Sequence, residues 1–202
     1  TGNPVIRRKQ DQNIQFSLKD LGLEDKFTIF ILGGSQGSIP INNHFIEKYD
    51  NYLKLGFQII WQCGEKNLTA IKNIVKSKKI HLFGFTNDIW KYYSSSDLVV
   101  SRAGALTLSE LSFYKKASIL IPYPYAANNH QLKNAEYYSS YGASDIVLQE
   151  ELKSGLLEEK VNALYENYSI IKNMGEKAHE ISHQDSVEVI SSEILNVCRD
   201  NA

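Results

Sequence analysis

The chain has 202 residues, 43% of them hydrophobic and 22% charged, with a formal net charge of −1. That length allows one sizeable domain or two small ones, and the balanced charge carries no electrostatic footprint of a nucleic-acid partner. Cys63 and Cys198, the two cysteines, are too far apart in sequence for a disulfide framework or a zinc site and point to a reducing compartment. No apolar run approaches the roughly 20 residues of a membrane span, and no signal peptide is visible.

Residues 1–26 are polar and rich in turn formers, which reads as a linker with a short helix near Ser17 to Leu21. Strand-like apolar runs and helical segments then alternate. Phe27–Leu32 is a strand, followed by a Gly-rich break and a helix to about Leu55. Phe57–Gln62 is the next strand, with a helix around Leu68 to Lys76. Ile80–Phe83 and a helix over 87–94 follow, then Leu98–Ser101 and a helix over 107–114. Ser118–Ile121, a helix over 129–140 and Asp145–Leu148 complete the alternation. Residues 150–200 are helical, broken near Tyr168 and His183. Such alternation predicts parallel strands joined by crossover helices, with near-continuous apolar strands covered on both faces. The expected fold is α/β, a doubly wound Rossmann-like parallel sheet of about six strands. Ligands of such sheets collect beyond the carboxyl ends of the strands.

Four loops lie at such ends. Gly33-Gly34-Ser35-Gln36-Gly37 reads equally as a phosphate loop or as a tight turn; it is neither a Walker A loop nor a G-x-G-x-x-G fingerprint. Phe83-Gly84-Phe85-Thr86-Asn87-Asp88 offers Phe85 and Thr86 to a base, or a helix cap beside a core Phe85. Ser101-Arg102-Ala103-Gly104-Ala105 opens a helix whose backbone N–H groups suit a phosphate. In that helix, Thr107 and Glu110 have the spacing of a capping box, or Glu110 accepts from ribose hydroxyls. In Pro122–Asn134, Gln131 and Asn134 share a helical face; their amides suit sugar hydroxyls or belong to a polar turn, the sugar site being the favoured reading. His130 sits beside them as an acid–base candidate, a cap or a surface residue.

Taken together, Thr1-Gly2-Asn3-Pro4-Val5, Gly33 to Gly37, Trp61-Gln62-x-Gly64, Ser101 to Glu110, and Asn129-His130-Gln131 with Asn134-Ala135 resemble the MurG family. Its members are the UDP-N-acetylglucosamine:N-acetylmuramyl-(pentapeptide) pyrophosphoryl-undecaprenol N-acetylglucosamine transferases of bacterial peptidoglycan synthesis. The resemblance implies the donor-binding half of a two-domain GT-B glycosyltransferase. It implies a linker over 1–26, a UDP-GlcNAc-binding domain over 27–184, and a helix over 185–202 that packs toward an amino-terminal domain. That other domain would hold the lipid acceptor (lipid I, converted to lipid II), the catalytic base and the membrane-associating patch. The enzyme would then sit peripherally on the cytoplasmic face of the inner membrane, and this half by itself would bind donor without turning it over. By position, Ser35 meets the diphosphate and the Thr86 backbone reads uracil. Ala105, Leu106, Thr107, Leu108, Ser109 and Glu110 wrap the nucleotide-sugar, with Glu110 on the ribose, and Gln131 meets GlcNAc. Gly34, Gln36, Gly104 and Asn134 lie beside these. The family usually reads Asn-Pro-Val-Arg; here Ile6 takes the arginine's slot, and either Arg7 replaces it by a one-residue shift or the contact is lost. No metal or other cofactor is expected. The rival readings are a soluble donor-binding subunit with a separate membrane partner, a non-catalytic nucleotide-sugar module, and a sugar-nucleotide epimerase. The lead-in at residues 1–5 speaks against the first, and the lack of acids and bases besides His130 against the last.

Overall fold

A computed structural model describes residues 3–5, 16–182 and 186–200. Six parallel strands form one sheet: β1 (Thr28–Leu32), β2 (Gln58–Gln62), β3 (Ile80–Phe83), β4 (Leu98–Ser101), β5 (Ala117–Leu120) and β6 (Ser144–Ile146), in the spatial order β3-β2-β1-β4-β5-β6. This is the doubly wound order expected of the alternation. The connecting helices are α1 (Ile39–Lys54), α2 (Glu65–Ile74), α3 (Trp90–Ser94), α4 (Ala105–Phe113) and α5 (His130–Ser140). After β6 come a 3-10 turn at Gln149–Lys153 and helices α6 (Leu156–Glu166), α7 (Tyr168–Glu180) and α8 (Ser186–Asp200). The short linker helix is a 3-10 turn at Leu18–Leu21. The expected break near Tyr168 is the α6–α7 junction, whereas His183 lies outside the described residues.

Strand side chains alternate between two cores, as the two-residue period of a strand requires. Ile29, Ile31, Ile59, Trp61, Leu98 and Val100 pack with α1 and α6 on one face. Phe30, Leu32, Ile60, Val99 and Leu120 pack with Tyr93, Leu108, Leu111 and Tyr138 on the other. Both faces are buried, which is why these strands read as unbroken apolar runs.

One boundary differs in a way that matters. Helix α4 begins at Ala105, with Gly104 in extended conformation as its N-cap (φ −70°, ψ 145°). Thr107 is therefore inside the first turn and cannot be the cap. The capping-box reading of Thr107 and Glu110 falls with it, because Ala105 and Leu106 are themselves good helix formers and extend the helix backward.

Strand order reverses between β1 and β4, which pair in register through Leu32 and Ser101. Their carboxyl ends open a crevice there. The β1–α1 and β4–α4 loops form its two sides, flanked by the β3–α3 and β5–α5 loops.

Candidate functional site

The β1–α1 loop is stitched to the loop after β2. Asn42, in the first turns of α1, donates to the Cys63 carbonyl (2.9 Å) and accepts from the Trp61 indole (3.1 Å). Asn67 donates to the same carbonyl at 2.9 Å. Gly37 has φ +73°, and a Cβ there would run into the Cys63 carbonyl. Its glycine is therefore explained by backbone packing, as is Gly64, where a Cβ would meet the Gln36 carbonyl. Ser35 and Gln36 are exposed at the loop tip, and Gly34 is half-exposed. Cys63 is wholly buried, and burial pushes its thiol up to about 11, so it is an inert strand-end cysteine.

The β4–α4 turn is different. Below it Arg102 reaches four acceptors: the carbonyls of Ile121 (3.0 Å) and Pro122 (3.1 Å), Ser38 Oγ (2.8 Å) and Gln149 Oε1 (2.6 Å). Its guanidinium also lies 5.5 Å from the centre of the Tyr123 ring. This one side chain joins the loops after β1, β4, β5 and β6. Burial lowers its pKa to about 10, so it stays charged at neutral pH. All four acceptors are neutral, and no carboxylate pairs with it among the described residues. A half-buried cation therefore lies at the switch point without a counter-charge.

The start of α4 supplies donors. The Leu108 N–H is spent on the Gly104 carbonyl (3.0 Å), which leaves those of Ala105, Leu106 and Thr107 without intrahelical acceptors. Gly104 itself has an ordinary φ, and a Cβ there would meet only Thr107 Oγ1, at 3.8 Å. Neither steric crowding nor backbone conformation requires a glycine at that position.

Glu110 lies one turn further on, half-buried, with Oε2 accepting from the Tyr93 hydroxyl at 3.0 Å. It does not cap α4 with either oxygen. Burial raises its pKa, and the Tyr93 hydrogen bond opposes the rise.

These details redraw the sequence-based site. Leu108 is a core residue at 5% exposure with its N–H already bonded, so it is not a ligand contact. Ser109 turns its hydroxyl back to the Ala105 carbonyl (3.1 Å) and accepts from Asn3 (3.3 Å). Asn134 donates to the Ala103 carbonyl (3.0 Å), bracing the turn from behind. Gln131 accepts the Tyr123 N–H (3.0 Å) and so fixes the β5–α5 loop. His130 is exposed and bonds the Ala127 carbonyl at 2.8 Å, a local surface arrangement. Thr86 Oγ1 accepts from the Asp88 N–H at 3.0 Å, across the turn that leads into α3. Phe85 is 52% exposed and belongs to the rim, not the core. Arg7 and Ile6 lie outside the described residues. Arg102 and Tyr93, which the structure places at the centre of these contacts, are not among the residues that the sequence singles out. An arginine directly after a buried strand was the available signal for Arg102. Tyr93 carries no such signal, because its spacing is that of any tyrosine on the apolar face of a helix.

A groove of about 700 Å³ lies at the opposite, amino-terminal edge of the sheet, lined by Lys115, Lys116 and Asp97 among others. Three of its charged side chains are satisfied internally. Lys116 donates to the Ser96 carbonyl (2.7 Å), Lys115 pairs with Glu176 (2.9 Å), and Asp97 accepts from Thr28 N–H (2.8 Å) and Tyr168 (2.6 Å). Among the described residues no cluster of His, Cys, Asp and Glu could hold a metal ion, and no helix is long and apolar enough to cross a membrane.

Comparison with known proteins places this geometry. The chain is 34% identical to a UDP-N-acetylglucosamine--N-acetylmuramyl-(pentapeptide) pyrophosphoryl-undecaprenol N-acetylglucosamine transferase of Finegoldia magna, over 98% of this chain and 55% of that protein. It is 40% identical to the enzyme of the same name from Thermodesulfovibrio yellowstonii, over 86% of this chain and 49% of that one. The chain thus spans about half the length of the curated relatives it matches. Its structure resembles the crystal structure of Acinetobacter baumannii MurG with a TM-score of 0.72 and 26% identity, covering 90% of this chain and 53% of that one. The S. aureus MnaA–UDP co-structure, at 12% identity and a TM-score of 0.68 over 94% of this chain and 50% of that one, shares the fold. The glycosyltransferase family 28 C-terminal domain matches residues 28–190, from the first residue of β1 into the first turns of α8. The chain belongs to that family.

Proposed function

We propose that this chain is the nucleotide-sugar half of an inverting N-acetylglucosamine transferase that uses UDP-GlcNAc to convert lipid I to lipid II. One observation carries the reading. At the switch point, free N–H groups of the first turn of α4 lie one helical turn from a half-buried carboxylate acceptor, Glu110, and the adjoining turn carries Arg102, a cation with no carboxylate partner among the described residues. A nucleoside diphosphate has the matching order of groups: anionic phosphates, then a ribose diol. Gly104 supports the reading, because its missing Cβ keeps open the space above these donors.

In this reading the N–H groups of Ala105, Leu106 and Thr107, with Ser35 across the crevice, bind the diphosphate. Glu110 accepts from the ribose hydroxyls, the Thr86 backbone reads uracil, and the Gln131 amide nitrogen meets the sugar. The chemical difficulty of the transfer is negative charge building on the departing diphosphate as an acceptor hydroxyl attacks the anomeric carbon from the opposite face. Fixed N–H dipoles and the Arg102 charge stabilise it without reorganisation, so no metal ion is assigned. The acceptor, its base and the contact with the cytoplasmic membrane surface belong to the half that the longer relatives carry in addition, and the α8 end of this chain packs toward that half. The chain as it stands would bind donor and not turn it over.

Calorimetric titration with UDP, UDP-GlcNAc and UDP-GalNAc tests this. Binding of UDP-GlcNAc, with UDP retaining most of the affinity, is the expected result. No heat of binding with any of the three, from protein shown to be folded, would overturn it.

A further inference from the structure

We propose that Tyr93 is a positioning residue for nucleoside recognition: its buried hydroxyl holds Oε2 of Glu110 so that the rest of the carboxylate faces a ribose diol. The inference rests on the reading of Glu110 as the ribose acceptor and adds how that acceptor is held.

Tyr93 is 0% exposed and its ring is fixed on two sides. It stacks on Tyr114 (5.1 Å between centroids, 11° between planes) and meets Phe30 of β1 edge-on (5.4 Å, 82°). Phenylalanine would make the same ring contacts. The hydroxyl is therefore surplus to packing, and a buried hydroxyl needs a partner; its partner is Glu110, at 3.0 Å. Glu110 is equally surplus to the fold. It caps nothing and forms no ion pair among the described residues, and burial disfavours its charge. A carboxylate has about four lone-pair sites, and Tyr93 uses one. The hydrogen bond fixes the rotamer and leaves the other oxygen for two O–H donors of a vicinal diol.

The bond also spans two elements. Tyr93 is on α3, which follows the Thr86 loop, and Glu110 is on α4, which follows the phosphate-facing turn. One hydrogen bond thus sets the spacing between the base-reading loop and the ribose acceptor. The titratable groups facing this carboxylate are Tyr93 and, stacked on its ring, Tyr114.

The test compares UDP with 2′-deoxy-UDP by calorimetry, below the melting temperature of each variant. The wild-type chain should prefer UDP by about tenfold, the size of a hydrogen bond to a charged acceptor. Tyr93→Phe should cut that preference to about threefold, mainly by weakening UDP. It should also move the acid limb of UDP binding to higher pH, because the bond that opposes the burial-driven rise at Glu110 is gone. Tyr138→Phe is the structural comparator. It removes another buried hydroxyl bonded to α4, at the Leu108 carbonyl (3.0 Å) and Ser112 Oγ (2.7 Å), and should lower Tm while leaving the preference intact. A Tyr93→Phe chain that keeps the full preference and the wild-type acid limb overturns the proposal. Glu110→Ala separates the two levels. If it keeps the wild-type preference, the ribose reading itself fails; if it loses the preference while Tyr93→Phe does not, only the role of Tyr93 fails.

Discussion

Gly37 and Gly104 stand on opposite sides of one crevice, in the loops after β1 and β4. At Gly37 the backbone is left-handed and the neighbouring carbonyl leaves no room for a side chain. At Gly104 the backbone is ordinary and the space above is open. The glycine-rich loop is conspicuous in sequence, yet Gly37 serves packing against the Cys63 carbonyl and Gly33 makes room for Ser38 and Gly37 of its own loop. The less conspicuous turn after β4 has a glycine that neither crowding nor backbone conformation requires, donors without acceptors, and a cation without a counter-charge. Requirements that the protein leaves unmet locate a ligand better than the frequency of a residue type.

Substitutions can break this comparison. Gly37→Ala should have the largest effect, a loss of about 2–4 kcal/mol from backbone strain and collision, read as a lowered Tm. Arg102→Met comes next. It removes the tie between four loops and should cost about 2 kcal/mol of stability, with UDP affinity reduced about tenfold or more by loss of the charge. Gly104→Ala should invert the pattern, with a loss of stability of no more than about 1 kcal/mol from the poorer N-cap and UDP binding weakened about tenfold. Gly104→Ala protein that keeps this stability and binds UDP normally would remove the distinction between the two turns.

Acid sharpens the comparison, because α1 and α4, the helices that follow the two loops, carry a buried and a half-buried ionisable group that respond to it in opposite ways. His44 on α1 is buried, its Nδ1 bonded to the Leu152 carbonyl at 2.9 Å, and burial lowers its pKa from 6.5. The unfolded chain takes up that proton first, so the stability contributed by His44 is present above 6.5 and is lost as pH falls from 6.5 through the lowered folded value. Glu110 is raised from 4.5 by burial, so the folded chain takes up its proton first and ionisation costs stability. Glu110→Gln should therefore be slightly more stable than wild type above the raised value, by a few tenths of a kcal/mol, with the advantage gone below 4.5. Its UDP affinity should fall at all pH values. Melting curves from pH 4 to 8 for the wild type, Glu110→Gln and His44→Gln separate the contributions; parallel curves for all three would contradict both assignments.

The sheet was legible because the four central strands, β1, β2, β4 and β5, are buried on both faces and stand out as apolar runs, whereas the edge strands β3 and β6 are partly covered and are recognised by their place in the alternation. The crevice followed from the alternation, since loops at the carboxyl ends converge wherever strand order reverses. Individual side chains were harder. Leu108 and Ser109 sit in the same run as Ala105 and Leu106, and only the rotation of α4 turns Leu108 into the core. Glu110 has the spacing of a cap, but where α4 begins depends on the conformation of Gly104.

The amino-acid sequence by itself determined the α/β alternation, the strand-end loops and a resemblance strong enough to name a family, because these reside in local periodicity and in ordered motifs. Only the tertiary structure decided that Tyr93 holds Glu110, that Arg102 joins four loops without a counter-charge, and that Gly104 is open where Gly37 is closed. Each of those facts is a meeting of residues distant in the chain. Hydrogen-bond partners, burial and free space are properties of the packed molecule, and no spacing along the backbone encodes them.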